Sequence, residues 1–232
     1  MRRPHPLGRL GQFRRDDKAL ALMEFALALP LVLAVGTYGI ELSHLALANM
    51  RVSHVAIDLA DNASRVGTQS TTTGYQTLTE TDIDDTLKAL MIESAGIDVV
   101  DNGRVTISSV EAVTDAKGNT TQWLHWQRCI GTVSTTGYGT GYTVAPYDDS
   151  GVTVTGIGNP SLTAPPASGL IFIEVNYNYK PLFGSMLMAP RKLHYVSAMI
   201  VRATRSPSNN ITNPNNAVQM LCNKYSNGSE IS

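Results

Sequence analysis

The sequence predicts an α+β protein: one long N-terminal helix, transmembrane at its start and amphipathic at its end, packed on a small antiparallel sheet. Three observations predict it. Residues 25–40 (FALALPLVLAVGTYGI) carry no charge and are framed by Glu24 and Glu41. Beyond Glu41 the apolar positions Leu42, Leu45, Val52, Val55, Leu59 and Val66 recur at helical spacing. From Val105 onwards, short segments alternate apolar and polar residues, with turn residues between them.

The helix comes first. A membrane span needs about 20 mostly apolar residues; the uncharged run is shorter, but residues 19–23 and 42–48 extend it. At about 1.5 Å per residue, Glu24 and Glu41 sit roughly 25 Å apart. That approaches the hydrocarbon thickness, so both carboxylates reach headgroup depth and mark its edges. Gly67, followed by TQSTTTG, ends the helix. A helix over residues 19–66 is about 70 Å long, and its one-sided second half needs a folded domain to lie against. Pro30 lacks an amide hydrogen and is expected to kink it. On one side the residues are small (Gly36, Gly39, Ser43, Ala46), at the spacing of a helix face. Such faces let helix backbones approach each other within a membrane.

Arg2, Arg3, Arg9, Arg14, Arg15 and Lys18 precede the run. This basic leader is expected to stay cytoplasmic, which places everything after the span outside the cytoplasm. The partner so implied is inner-membrane lipid. A cleaved secretory signal is the rival, since Ala46-Leu47-Ala48 offers a small-residue cut before Asn49. Charged residues are only 16% and net charge is −1, so no global field argues for nucleic acid as a partner. The expected divisions are a leader at 1–18, a transmembrane and stalk helix at 19–67, an extracytoplasmic α+β domain at 68–205 and an Asn/Ser-rich tail at 206–232.

Within the domain, Thr81 is expected to cap a second helix. Asp82, Asp84 and Asp85 would sit in its first turn, where the helix dipole favours negative charge. Ile83, Leu87, Leu90, Met91 and Ala95 would form its apolar face, and Gly96 its stop. The three aspartates lack the glycine and terminal glutamate of a calcium loop. Residues 105–110 and 122–130 read as a hairpin turning at 115–119, with Trp123 and Trp126 on opposite faces. Residues 131–168 read as a long surface loop holding one short strand at 152–155. Residues 170–179 alternate as a half-buried strand, with Glu174 and Asn176 on its polar side. Residues 182–189 (LFGSMLMA) form a short apolar segment that covers the core or touches the membrane, and residues 192–203 are the last strand. Of the two cysteines, Cys129 falls on the hairpin and Cys222 in the tail. In an oxidising compartment a bridge between them is expected over two free thiols.

The block LALMEFALALPLVLAVGTYGIEL (20–42) resembles the start of the TadE/TadG-like pilus assembly proteins. Those proteins carry a short basic leader, A-x-x-E-F-A-L-x-L-P, an apolar run and G-x-x-E. Glu24, Phe25, Ala26, Leu27, Leu29, Pro30, Gly39 and Glu41 carry the match, and EVNYNYKPLF (174–183) is similar to their late strand and Pro-Leu turn. The resemblance implies a pilin-like fold and an accessory, pseudopilin-like part in a tight-adherence pilus. Its partners would be other pilus subunits and a prepilin peptidase cutting between Ala19 and Leu20. Glu24 would then be the fifth mature residue, pairing with a neighbouring subunit's free amine. Ala19 stands where the family usually carries Gly, so a cut chain and an uncut anchor both remain open.

No catalytic constellation is visible. HExxH, Cys-x-x-Cys, G-x-S-x-G and phosphate-loop patterns do not occur, and no cofactor or metal is expected. A membrane-anchored adhesin and a secreted protein are the alternatives to the pilus reading.

Overall fold

A computed structural model describes residues 17–69, 76–166, 168–202 and 211–231. The basic leader before Asp17 and the first residues of the Asn/Ser-rich tail lie outside them. In chain order the elements are helix α1 (Asp17–Arg65), strands β1 (Thr68–Gln69) and β2 (Gln76–Thr77), helices α2 (Glu80–Glu93) and α3 (Val99–Asn102), then strands β3 (Gly103–Thr114) and β4 (Thr120–Ile130). Strand β5 (Val152–Val154), strand β6 (Gly169–Tyr179), a 3-10 turn (Gly184–Met186) and strand β7 (Arg191–Ile200) complete them. The chain divides into two units. The first holds α1 up to Leu45 with Pro181–Ala189; the second holds Ala46–Lys180 and Pro190–Ser232.

In the first unit α1 is one continuous helix through Pro30. Leu22, Phe25, Leu27, Leu31, Val32, Leu33 and Val35 are all more than half exposed. A helix that is apolar all round, and not covered by its own chain, is built for a non-aqueous surrounding. By length and composition it is sufficient to cross a membrane once.

The second unit is a five-stranded sheet of order β5-β4-β3-β6-β7, antiparallel at every pairing. The architecture is therefore α+β, as the alternating segments predict. Both faces of the sheet are covered. On one side the stalk half of α1 buries Ala48, Val52, Val55, Ala56, Leu59, Ala60 and Ala63, a single face at helical spacing. The Tyr195 hydroxyl of β7 donates to Asn49 Oδ1 of that helix at 3.0 Å. On the other side Val110, Ala112, Leu124, Leu170 and Phe172 meet Ala145, Ile157 and Ala164, which come from the connection between β4 and β6. Phe172 makes an edge-to-face contact with Tyr142 of the same connection. The expected surface loop at 131–168 is thus a second cover of the sheet. β6 is buried on both faces rather than half-buried: Glu174 is 3% exposed and Asn176 is fully enclosed.

Four local expectations change. The cap of α2 is Thr79, not Thr81. Its hydroxyl accepts from the Asp82 amide while the Asp82 carboxylate accepts from the Thr79 amide, a reciprocal capping box. Asp82 therefore closes the cap. Glu80 and Asp84 lie on the buried side of α2, and the helix ends at Ser94, before Gly96. Ala95 is exposed rather than part of the apolar face. The hairpin strands carry a bulge: Ser109 pairs with Trp126 and Val110 with Leu124, leaving His125 as the extra residue. The bulge puts both tryptophans on one face, since Trp123 pairs with Glu111, two residues from Ser109.

The tail at 211–231 has no regular element, yet it is tied down. Cys129 and Cys222 form a disulfide across 93 residues. Beyond the short strand β5, the free edge of β4 is taken by the tail, with Cys129 N donating to Met220 O and Gly131 N to Ser226 O, both at 2.7 Å. Buried Arg104 donates to the carbonyls of Gly131 and Cys222, and its guanidinium lies over the Tyr225 ring.

Candidate functional site

The residues singled out by sequence lie mostly on the first half of α1. Ala19 and Leu20 are consecutive helical residues in its opening turns, so the expected cut would fall within helix. Leu20 is 59% exposed. Glu24 is exposed among apolar neighbours, with no partner supplied by the described residues of its own chain. Gly36, Gly39, Ser43 and Ala46 are all exposed. A Cβ added at Gly36 or Gly39 would meet nothing within 4 Å. Within this face the Ser43 hydroxyl donates to the Gly39 carbonyl of the same helix. The small face is therefore bare in the protomer.

Glu41 behaves differently from Glu24. It is fully buried by its own chain. Its Oε1 accepts from Leu182 N at 3.2 Å and its Oε2 from Phe183 N at 3.1 Å. A desolvated carboxylate is costly unless its charge meets donors. Two backbone amides meet it here with charge-assisted bonds. They fix the turn Pro181–Ala189 to the helix, just where the uncharged run ends. Leu182, Phe183 and Met186 of that turn point outward, at 57%, 41% and 90% exposure, while Met188 is buried.

Inside the second unit, Arg128 sits at the centre of a buried ion group. Its Nε donates to Glu80 Oε2, Nη1 to Asp149 Oδ1 and to the Gln127 carbonyl, and Nη2 to Asp149 Oδ2 and Glu80 Oε1. All five guanidinium hydrogens are thereby used. Burial works against the charge, but the hydrogen bonds and attraction of Asp149 and Glu80 outweigh it and hold the guanidinium above its ordinary value. Gln219 of the tail donates to Glu80 as well. One group thus joins β4, the cap of α2, the loop before β5 and the tail. Asp149 falls in the stretch read from sequence as a surface loop, yet it is buried and serves this ion group.

A polar cavity of about 430 Å³ lies between the loop at 137–142 and strands β6 and β7, lined by Tyr142, Asn159, Glu174, Lys192 and His194. Glu174 accepts from Gly141 N and lies 3.1 Å from His194 Nε2. Burial and then the Glu174 charge push the Tyr142 hydroxyl above its ordinary value. Nothing in this set pairs a nucleophile with a base. Among the described residues no cluster of three or more His, Cys, Asp or Glu side chains could hold a metal.

Sequence reasoning missed the Arg128 group and the Glu41 clamp. A signal existed for the first: a lone arginine inside the apolar strand segment Trp126-Gln-Arg-Cys-Ile130 needs buried counter-charges. Searches of protein-family models, curated proteins and solved structures find nothing similar to this chain.

Proposed function

We propose that this chain is a single-pass, membrane-anchored, pseudopilin-like component of a tight-adherence pilus or a related secretion apparatus. In this reading its leader is cytoplasmic, its sheet domain extracytoplasmic, and it works through helix–helix packing and protein contacts rather than catalysis. One observation carries the reading: residues 20–40 of α1 are apolar and exposed on all sides, with a single carboxylate, Glu24, set among them. Lipid or neighbouring helices must cover such a surface. The E-F-A-L-x-L-P resemblance names the kind of assembly. The bare face Gly36-Gly39-Ser43-Ala46 supplies a place where a second helix could approach closely. In a cut chain the free amine of one subunit would neutralise Glu24 of the next and set the stagger between helices.

Mass spectrometry of the mature N-terminus tests this directly. A start at Leu20 supports the processed pseudopilin. Met1 supports an uncut anchor, and Asn49 a secreted protein. In a chain that starts at Leu20, Glu24→Ala should abolish co-assembly with other subunits; unchanged assembly would remove the pairing role.

The second reading is an anchored binding domain that never enters a filament. The polar cavity around Glu174 and His194 favours it, as does Ala19 at the cut position. An N-terminus at Met1 with no subunit partners would select it.

A further inference from the structure

We propose that the turn Pro181–Ala189 docks on the bilayer surface as a second, interfacial contact, held there by Glu41; the inference rests on the reading that α1 spans a membrane. Strands β6 and β7 pair as far as Tyr179 with Arg191, so the whole of 180–190 is connection. A hairpin of this kind closes with about 2–5 residues. The longer connection here is not a polar loop in water: it presents Leu182, Phe183 and Met186 outward.

The level of the turn is fixed by Glu41. Both carboxylate oxygens are committed to the Leu182 and Phe183 amides, and Glu41 directly follows Ile40, the last residue of the uncharged run. Glu24, at the opposite end of that run, lies roughly 25 Å away along the helix axis. If the run fills the hydrocarbon core, the amides bound to Glu41 lie at its edge. There a phenylalanine, a leucine and a methionine reach the acyl boundary while the backbone stays among headgroups. Tyr38, one turn earlier and 45% exposed, stands at the depth where aromatic side chains favour the interface. The outward apolar side chains of the turn belong to the same unit as the exposed apolar surface of α1, including Val35, Ile40 and Leu42. A bilayer covers both with one continuous medium. A protein partner would have to match the turn separately.

The test uses the full chain in nanodiscs. Among the described residues both cysteines are bridged, so Met186→Cys and, separately, Leu31→Cys can each carry one environment-sensitive dye. Nitroxide lipids then act as depth rulers. The dye at 186 should be quenched most by nitroxide at the headgroup, and the dye at 31 most by nitroxide at the chain end. Glu41→Gln keeps only one strong acceptor, and should lose headgroup quenching at 186 while leaving 31 unchanged. Quenching at 31 without quenching at 186 overturns the docking and leaves the span standing. A dye at 186 shielded from both lipid nitroxide and an aqueous quencher means that protein covers the turn, which also overturns it. No quenching at 31 removes the span and the docking together. Quenching at 186 that survives Glu41→Gln and Glu41→Ala removes Glu41 as the positioning residue.

Discussion

Replacing Arg128 with alanine should be among the most damaging single changes in the sheet unit. The side chain is fully buried and engages Glu80, itself fully buried, and Asp149, 6% exposed. Its removal leaves two enclosed carboxylates facing each other without a cation. Breaking a buried ion group in this way costs about 3–5 kcal/mol, against 0–1 for an exposed pair. With a urea dependence of about 2 kcal/mol per molar, the unfolding midpoint should fall by about 2 M. Trp126, two residues before Arg128 and buried, reports the transition by fluorescence in detergent-solubilised full chain. The triple variant Glu80→Gln, Arg128→Met, Asp149→Asn removes every charge in the group, keeping the shapes of the two carboxyl side chains and the aliphatic stem of the arginine. It should regain more than half of the loss, because the penalty lies in unpaired charge rather than in missing attraction. A midpoint shift of under about 0.5 M for Arg128→Ala, the size expected of a surface pair, would refute the reasoning. So would a triple variant no more stable than the single one.

The disulfide spans 93 residues. The chain-entropy estimate for a loop of that size is about 4.6 kcal/mol, so Cys129→Ser/Cys222→Ser should unfold well below the wild type and expose the tail to protease. Equal midpoints with and without reductant would contradict this. Asp84 is 5% exposed, and its Oδ1 has no partner among the described residues. Burial, then the nearby Glu80, raises its pKa from 3.8 to about 6. Between those values the folded state holds more protons than the unfolded one. The Asp84 contribution to stability therefore falls as pH rises from about 4 to about 6, and stays low above. Asp84→Asn should be more stable than wild type at pH 8, by at most about 3 kcal/mol, with the difference vanishing below pH 4. A pH-independent difference would sink that assignment. Gly131 adopts φ +124, and a Cβ there would run into the Gly103 carbonyl. Gly131→Ala should therefore destabilise the end of the β3–β4 pair by about 1–3 kcal/mol in urea unfolding; an unchanged midpoint would show that the pair shifts freely.

Periodicity made the long helix and the β3–β4 hairpin legible, because 3.6- and 2-residue repeats are written locally. Boundaries shifted where a side chain competed for the backbone: Thr79 and Asp82 close the reciprocal cap, while Thr81 and Asp84 stand at the same spacing, so the local pattern alone does not choose between them. The tryptophans were misplaced because a bulge adds one residue without changing the sequence pattern. Polar residues on β6 read as solvent-facing since alternation reports polarity, not cover; the cover comes from the connection before β6, far along the chain. The clamp has the same character. Glu41 and Leu182 are 141 residues apart, and no local pattern joins them. Glu41 was noticed as an edge of the apolar run, but its burial follows only from where the turn after β6 folds back.

The central claim is a single crossing with the sheet domain on the side opposite the basic leader. Right-side-out spheroplasts of a bacterial host expressing the full chain, tagged at both ends and treated with protease, test it most directly. With a single crossing in this orientation the C-terminal tag is lost, while the N-terminal tag survives on a short membrane-held fragment until the cells are lysed. If processing has removed the leader, only the C-terminal loss is read. A C-terminal tag protected in intact spheroplasts, or an intact chain found wholly in the soluble fraction, would contradict it.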